Sequence, residues 1–224
     1  MERSDTHQSR ERNRWVSQEL NPFYNPYAPT IENAKPAPRV APKSNRMGIR
    51  NYLIEGVSGT GKTTVAEELQ RRGYHVIHGD RELAYQGDPE TGGPVVEPAH
   101  ASEMDKVVWQ QRHWLWNIDK VKSVISDHSN AISFFCGGSR NFARFVDLLD
   151  GVFVLDVDLA TLKRRLAGRP EDEFGGRPVE AELVVRLHAT KEDIPRGDVV
   201  IDATAPLDRV VDEILQRCKP ARNS

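Results

Sequence analysis

The residues Gly56-Val57-Ser58-Gly59-Thr60-Gly61-Lys62-Thr63 have the types and spacing to hold a chain of phosphates. The order G-x-x-x-x-G-K-[ST] lets backbone N–H groups turn inward around anionic oxygens. The lysine reaches the β- and γ-phosphates, and the last hydroxyl can ligate Mg²⁺. Gly56, Ser58, Gly59, Thr60, Gly61, Lys62, Thr63 and the adjoining Thr64 are therefore expected to bind a nucleotide, with Thr63 as the metal ligand. Asn51 to Glu55 before the loop read as a short strand. Thr64 to Arg72 after it read as a helix that Gly73 stops. A strand, a glycine loop and a helix N-terminus in that order form an anion site.

From Gly48 onward strands alternate with helices, the pattern of a parallel sheet with crossover helices. Strands are predicted at about 50–55, 74–78, 131–136, 152–156 and 199–202. The run Ala131 to Cys136 is apolar enough to be buried on both faces. Helices are predicted at about 102–127, up to 167, 179–191 and 207–217. The phosphate loop follows the first strand, so the active site belongs at the carboxyl edge of the sheet. Asp156, at the end of the fourth strand, could alternatively face Mg²⁺ as a Walker B carboxylate.

Residues 1–48 differ in kind. A polar, charged start gives way to repeated prolines, which block helix and central strand alike. A disordered leader is predicted for 1–48 and one domain for 49–224. Residues 1–50 carry nine Lys/Arg against five Asp/Glu, and the whole chain has a net charge of -2. That balance argues against nucleic acid or an anionic membrane as partner. The two cysteines, Cys136 and Cys218, give no disulfide framework. No apolar run reaches the ~20 residues of a membrane span. A cytoplasmic monomer or homodimer is the expectation.

Several ordered segments carry a family resemblance. His78-Gly79-Asp80 ends the second strand, and Cys136-Gly137-Gly138-Ser139-Arg140 follows the third. Arg165-Leu166-Ala167-Gly168-Arg169 opens a polar, glycine-containing loop, with Arg177 and Arg186 beyond it, and Ile201 to Pro206 forms the last strand and loop. Together with the phosphate loop, these resemble the P-loop nucleoside and nucleotide kinase superfamily over about 49–217. The group is adenylate-kinase-like and related to gluconate and shikimate kinases.

The resemblance implies a three-layer P-loop NTPase fold with a five-stranded parallel sheet, helices on both faces and a small lid at about 168–178. It implies ATP and Mg²⁺ as cofactors and transfer of the γ-phosphoryl group to a small-molecule acceptor. Lys62, Asp80, Arg165 and Arg169 would be catalytic. Arg165 and Ala205 would also touch ATP. Asp80, Arg81 and Arg140 would meet the acceptor. Cys136 stands where the closest pattern has an aspartate, so Mg²⁺ would rest on Thr63, ATP oxygens and Asp80 through water.

Three acceptor readings remain open: a nucleoside or nucleotide; a hydroxyl of a sugar acid, polyol or antibiotic; and no acceptor, as in an ATPase or regulator. Asp80 serves either as a base, worth about 10²–10⁴-fold, or as a ligand to magnesium-bound water. Read as one helix, 102–127 places Trp109 and Trp116 on a shared face as packing residues. Trp114 and Arg112 are then the candidates for the acceptor pocket.

Overall fold

The computed structural model describes residues 49–197 and 199–218. The leader predicted for 1–48 lies outside the described residues.

Apolar strand sequences set the architecture. In β1 (Arg50–Glu55) every residue after Arg50 is buried, and β5 (Ile132–Cys136) and β6 (Gly151–Asp156) are nearly as dry. Runs of this kind suit parallel strands covered on both faces. With β2 (His75–His78) and β7 (Val199–Asp202) they form one five-stranded sheet in the order β2-β5-β1-β6-β7, all pairs parallel. The five strands are the ones the apolar pattern predicts.

Alternate residues face opposite layers. Tyr52, Ile54, Phe134, Phe153 and Leu155 pack with Val65 and Leu69 of α1 (Lys62–Arg71), Leu162 of α5 (Leu159–Ala167), Leu183 of α6 (Pro178–Thr190) and Val210 of α7 (Leu207–Arg217). Leu53, Phe135, Val152 and Val154 pack on the other side with Ile77, Trp116, Val121 and Phe145. Full burial of such side chains stabilises the fold by about 1.5–3 kcal/mol each.

The helix predicted over 102–127 is two helices and a strand. α3 (Glu103–Arg112) is N-capped by Ser102, whose side chain accepts from Asp105 N. α4 (Ile118–Ser126) is N-capped by Asn117, which accepts from Lys120 N. Between them β4 (Trp114–Trp116) pairs antiparallel with β3 (Ala84–Gln86), which follows the short α2 (Gly79–Glu82). Trp109 and Trp116 therefore share no helix face. Trp116 is fully buried and stacks on Phe145 at 5.5 Å. Trp109 instead lies against His113 at 4.4 Å. The aromatic and β-branched preference for strands, realised by a partner some thirty residues away, overrides the local helical period.

Candidate functional site

Glycine conformation shapes the phosphate loop. Gly56, Gly59 and Gly61 have φ of 149°, 86° and 103°, values that disfavour residues with a Cβ. A Cβ at Gly56 would stand 2.5 Å from the Leu155 carbonyl oxygen, whereas at Gly61 the nearest atom is Arg165 Nη1 at 3.7 Å. The first glycine thus lets the loop lie against β6. Gly61 caps α1, and a Cβ there would meet only ordinary contact, so its positive φ rather than crowding calls for glycine. Lys62 Nζ donates to the carbonyls of Gly56 at 2.5 Å and Val57 at 3.2 Å, across the mouth of the loop.

The remaining hydroxyls divide. Thr60 is buried and donates to the Val57 carbonyl at 2.9 Å, so its side chain serves the loop itself. Ser58 Oγ donates to the Phe174 carbonyl at 2.9 Å, tying the loop to the segment between α5 and α6. Thr63 and Thr64 are exposed on the first turn of α1. The side chains of Ser58 and Thr60 are thus engaged within the protein, and Thr60 N is turned to Val57 O at 3.2 Å.

One cleft at the carboxyl edge of the sheet is lined by Lys62, Thr63, Ala66, His78, Asp80, Arg81, Cys136 and Gly137. The end of β2 and the loop after β5 bring the acceptor candidates Asp80 and Arg81 to the lysine and threonine of the phosphate loop. Asp80 Oδ1 accepts from Trp114 Nε1 and from Gly138 N, both at 3.2 Å. Both bonds fall on one oxygen of the carboxylate. Trp114 thus acts on the site from a strand, through Asp80. Cys136 is 5% exposed, and burial pushes its thiol far up, so it is inert. Cys218, also buried, is pushed up to about 12.

The arginines are placed unequally. Arg165 Nη1 donates to the carbonyls of Gly59 and Thr60 at 3.3 and 3.0 Å, and Nη2 to Ala203 at 2.8 Å. It braces the phosphate loop against the loop after β7, where Ala205 packs on the core. Arg169 pairs with Glu173 at 3.1 Å inside the 168–177 segment, and Arg177 pairs with Glu180 at 2.5 Å. Arg112, exposed at the end of α3, is not among the residues lining the cleft. Arg140 forms an ion pair with Asp193 at 2.7 Å. Asp156 receives Lys191 Nζ at 2.6 Å and lies 3.4 Å from His188. Its carboxylate is thus engaged by Lys191, and it does not line the cleft that holds Lys62 and Asp80.

Glu55 is the site residue that sequence reasoning missed. It ends β1 at 1% exposure, with Oε1 accepting from Gly56 N at 3.2 Å and Oε2 without a hydrogen-bond partner among the described residues. Burial raises its carboxyl to about 7, against the opposing charges of Arg140 and Lys62. The available signal was a carboxylate closing an otherwise apolar run directly before the loop.

The residues present fit a nucleotide and Mg²⁺: a loop of positive-φ glycines, a lysine held on the loop carbonyls and an exposed threonine that lines the cleft with Asp80. Among the described residues no three His, Cys, Asp or Glu side chains gather as a metal cluster. Nor is any helix among them long and apolar enough to cross a membrane.

A family model described as an AAA domain matches residues 53–184, more than half of the chain. Among solved structures, a gluconokinase from Sinorhizobium meliloti 1021 is similar at 21% identity and TM-score 0.45, covering 76% of this chain and 92% of that one. A shikimate kinase from Bacteroides thetaiotaomicron matches at 14% identity and TM-score 0.46, covering 75% and 97%. A deoxyadenosine kinase from M. mycoides matches at 14% and 0.41, covering 74% and 97%. No curated protein sequence matches the chain. With the glycine loop, the lysine and the five-stranded parallel sheet already in place, the family match at 53–184 makes this chain a member of the AAA domain family.

Proposed function

We propose that the protein is an ATP-dependent kinase that transfers the γ-phosphoryl group to a small molecule, a nucleoside or nucleotide being the leading class. One observation carries this reading. Lys62 and Thr63, which serve the donor, line the same cleft as Asp80 and Arg81, which suit an acceptor.

Phosphoryl transfer spreads negative charge over the equatorial oxygens, so positioning and electrostatics provide most of the catalysis. Lys62 would leave the loop carbonyls for the β- and γ-phosphates and follow the charge to the leaving oxygen. Thr63 would hold Mg²⁺, which when bound neutralises charge shared between these phosphates. Asp80 would orient an acceptor hydroxyl and take its proton on Oδ2 as the new O–P bond forms and the bond to ADP breaks. Arg165 keeps the loop in shape for this step, and Arg169 would reach the transferring group only by leaving Glu173. Closure of 168–177 would exclude water, the competing acceptor.

A hydroxyl-directed kinase for a sugar acid, polyol or antibiotic is the second reading, favoured by the carboxylate at Asp80. The test is a panel of nucleosides, nucleotides, sugar acids, polyols and aminoglycosides with labelled ATP. Label appearing on one class supports the kinase reading. Slow phosphate release that no acceptor accelerates would overturn it in favour of an ATPase or regulator.

A further inference from the structure

Arg140, in the loop after β5 whose Gly137 lines the cleft, has its charge already matched. Nη1 contacts both the carboxylate and the backbone carbonyl of Asp193, and the ion pair is 2.7 Å long. Both side chains are nearly buried, at 11% and 10% exposure. Glu55 also approaches this guanidinium. A Cβ at Gly138 would lie 3.0 Å from Arg140 Nη2 and 3.0 Å from Glu55 Oε1, so these two groups converge on one point. Asp193 is itself fixed, because Gln111 Nε2 donates to its Oδ2 at 2.9 Å. Its loop directly follows α6, so α3, the chain beyond α6 and the loop after β5 meet at this carboxylate.

An arginine that is to grip a phosphate must offer its fork to it. Here Nη1 is held by a buried carboxylate that matches the charge of the guanidinium, while Nε has no hydrogen-bond partner among the described residues, and an exchange of Asp193 for a phosphate would leave Asp193 buried without a counter-charge. An acceptor lacking a phosphate demands no such exchange. The geometry points to Asp193 as a specificity-determining positioning residue that keeps Arg140 neutralised, so that the site takes an uncharged hydroxyl-bearing acceptor in preference to its monophosphate. This rests on the kinase reading for its meaning in turnover, but the charge pairing can be tested by binding alone.

The experiment uses the full chain, wild type, Asp193→Asn and Asp193→Asn with Arg140→Gln. Asparagine keeps the size of the side chain and an oxygen for Gln111. Binding of adenosine, thymidine, their 5′-monophosphates and inorganic phosphate is measured by calorimetry, with label transfer from ATP in parallel. Freed from its partner, Arg140 should raise monophosphate or phosphate affinity at least tenfold in Asp193→Asn, while nucleoside affinity changes little. The gain should vanish in the double variant, which subtracts any binding at the phosphate loop. A folded Asp193→Asn with no gain overturns the proposal, as does a gain that survives Arg140→Gln. Should Asp193→Asn fail to fold, the wild-type protein decides: tighter binding of a nucleoside than of its monophosphate supports the proposal, and the reverse overturns it. If no acceptor is labelled, the kinase reading falls, while the affinity shift still judges the role of Asp193.

Discussion

Arg165 Nη1 donates to the carbonyl of Thr60 at 3.0 Å, so a residue of α5 closes the back of the phosphate loop. The same guanidinium holds Gly59 and Ala203, a use that needs its planar fork. Arg165→Ala should lower stability by about 2–3 kcal/mol and weaken ATP binding, since charge-assisted bonds to fixed carbonyls are lost. Arg165→Lys should recover part of this. Urea unfolding and nucleotide titration measure both effects, and an alanine variant with unchanged ATP affinity would show that the brace is dispensable.

Lys62 is half-buried and, among the described residues, bonded only to loop carbonyls, so its removal should spare the fold. Lys62→Ala is expected to slow phosphoryl transfer by about 10²–10³-fold. Melting within a few degrees of wild type, measured beside turnover, separates chemistry from unfolding.

Asp80→Asn keeps an oxygen for Trp114 Nε1 and Gly138 N while removing the basic carboxylate. Turnover with a hydroxyl acceptor should fall by about 10²–10⁴-fold, with ATP affinity preserved. Loss of Mg²⁺-dependent ATP binding instead would place Asp80 with the metal.

Glu55 gives stability a pH dependence of defined sign. Its carboxyl is raised from 4.5 to about 7 by burial. Below pH 4.5 it is protonated in both states and contributes no difference. Between pH 4.5 and 7 the unfolded chain releases the proton and the folded chain keeps it, so stability falls as pH rises and then levels off. The amplitude is about 3 kcal/mol. Glu55→Gln should flatten this slope and make the protein more stable near neutrality, as urea unfolding across the window would show. An unchanged slope would assign the dependence to other groups.

Much of this was legible in the chain because the signals are local. Backbone geometry fixes the phosphate loop through Gly56, Gly59 and Gly61, and burial on both faces fixes strands such as Ile132–Cys136. Neither needs knowledge of a distant partner. The 102–127 segment misled because a helical period cannot reveal that Trp114–Trp116 has a strand partner at Ala84–Gln86. Glu55 was hidden for a similar reason, since a carboxylate's proton depends on what surrounds it.

By itself, then, the sequence determined a nucleotide loop, a parallel α/β sheet and the candidates Lys62, Thr63, Asp80 and the arginines. Tertiary structure decided how they divide: Asp80 into the cleft, Arg165 onto loop carbonyls, Arg140 onto Asp193. Charge type is written in the residue, but whether a charge remains available for a ligand depends on partners that folding brings from far along the chain, as it brings Asp193 to Arg140 across 53 residues.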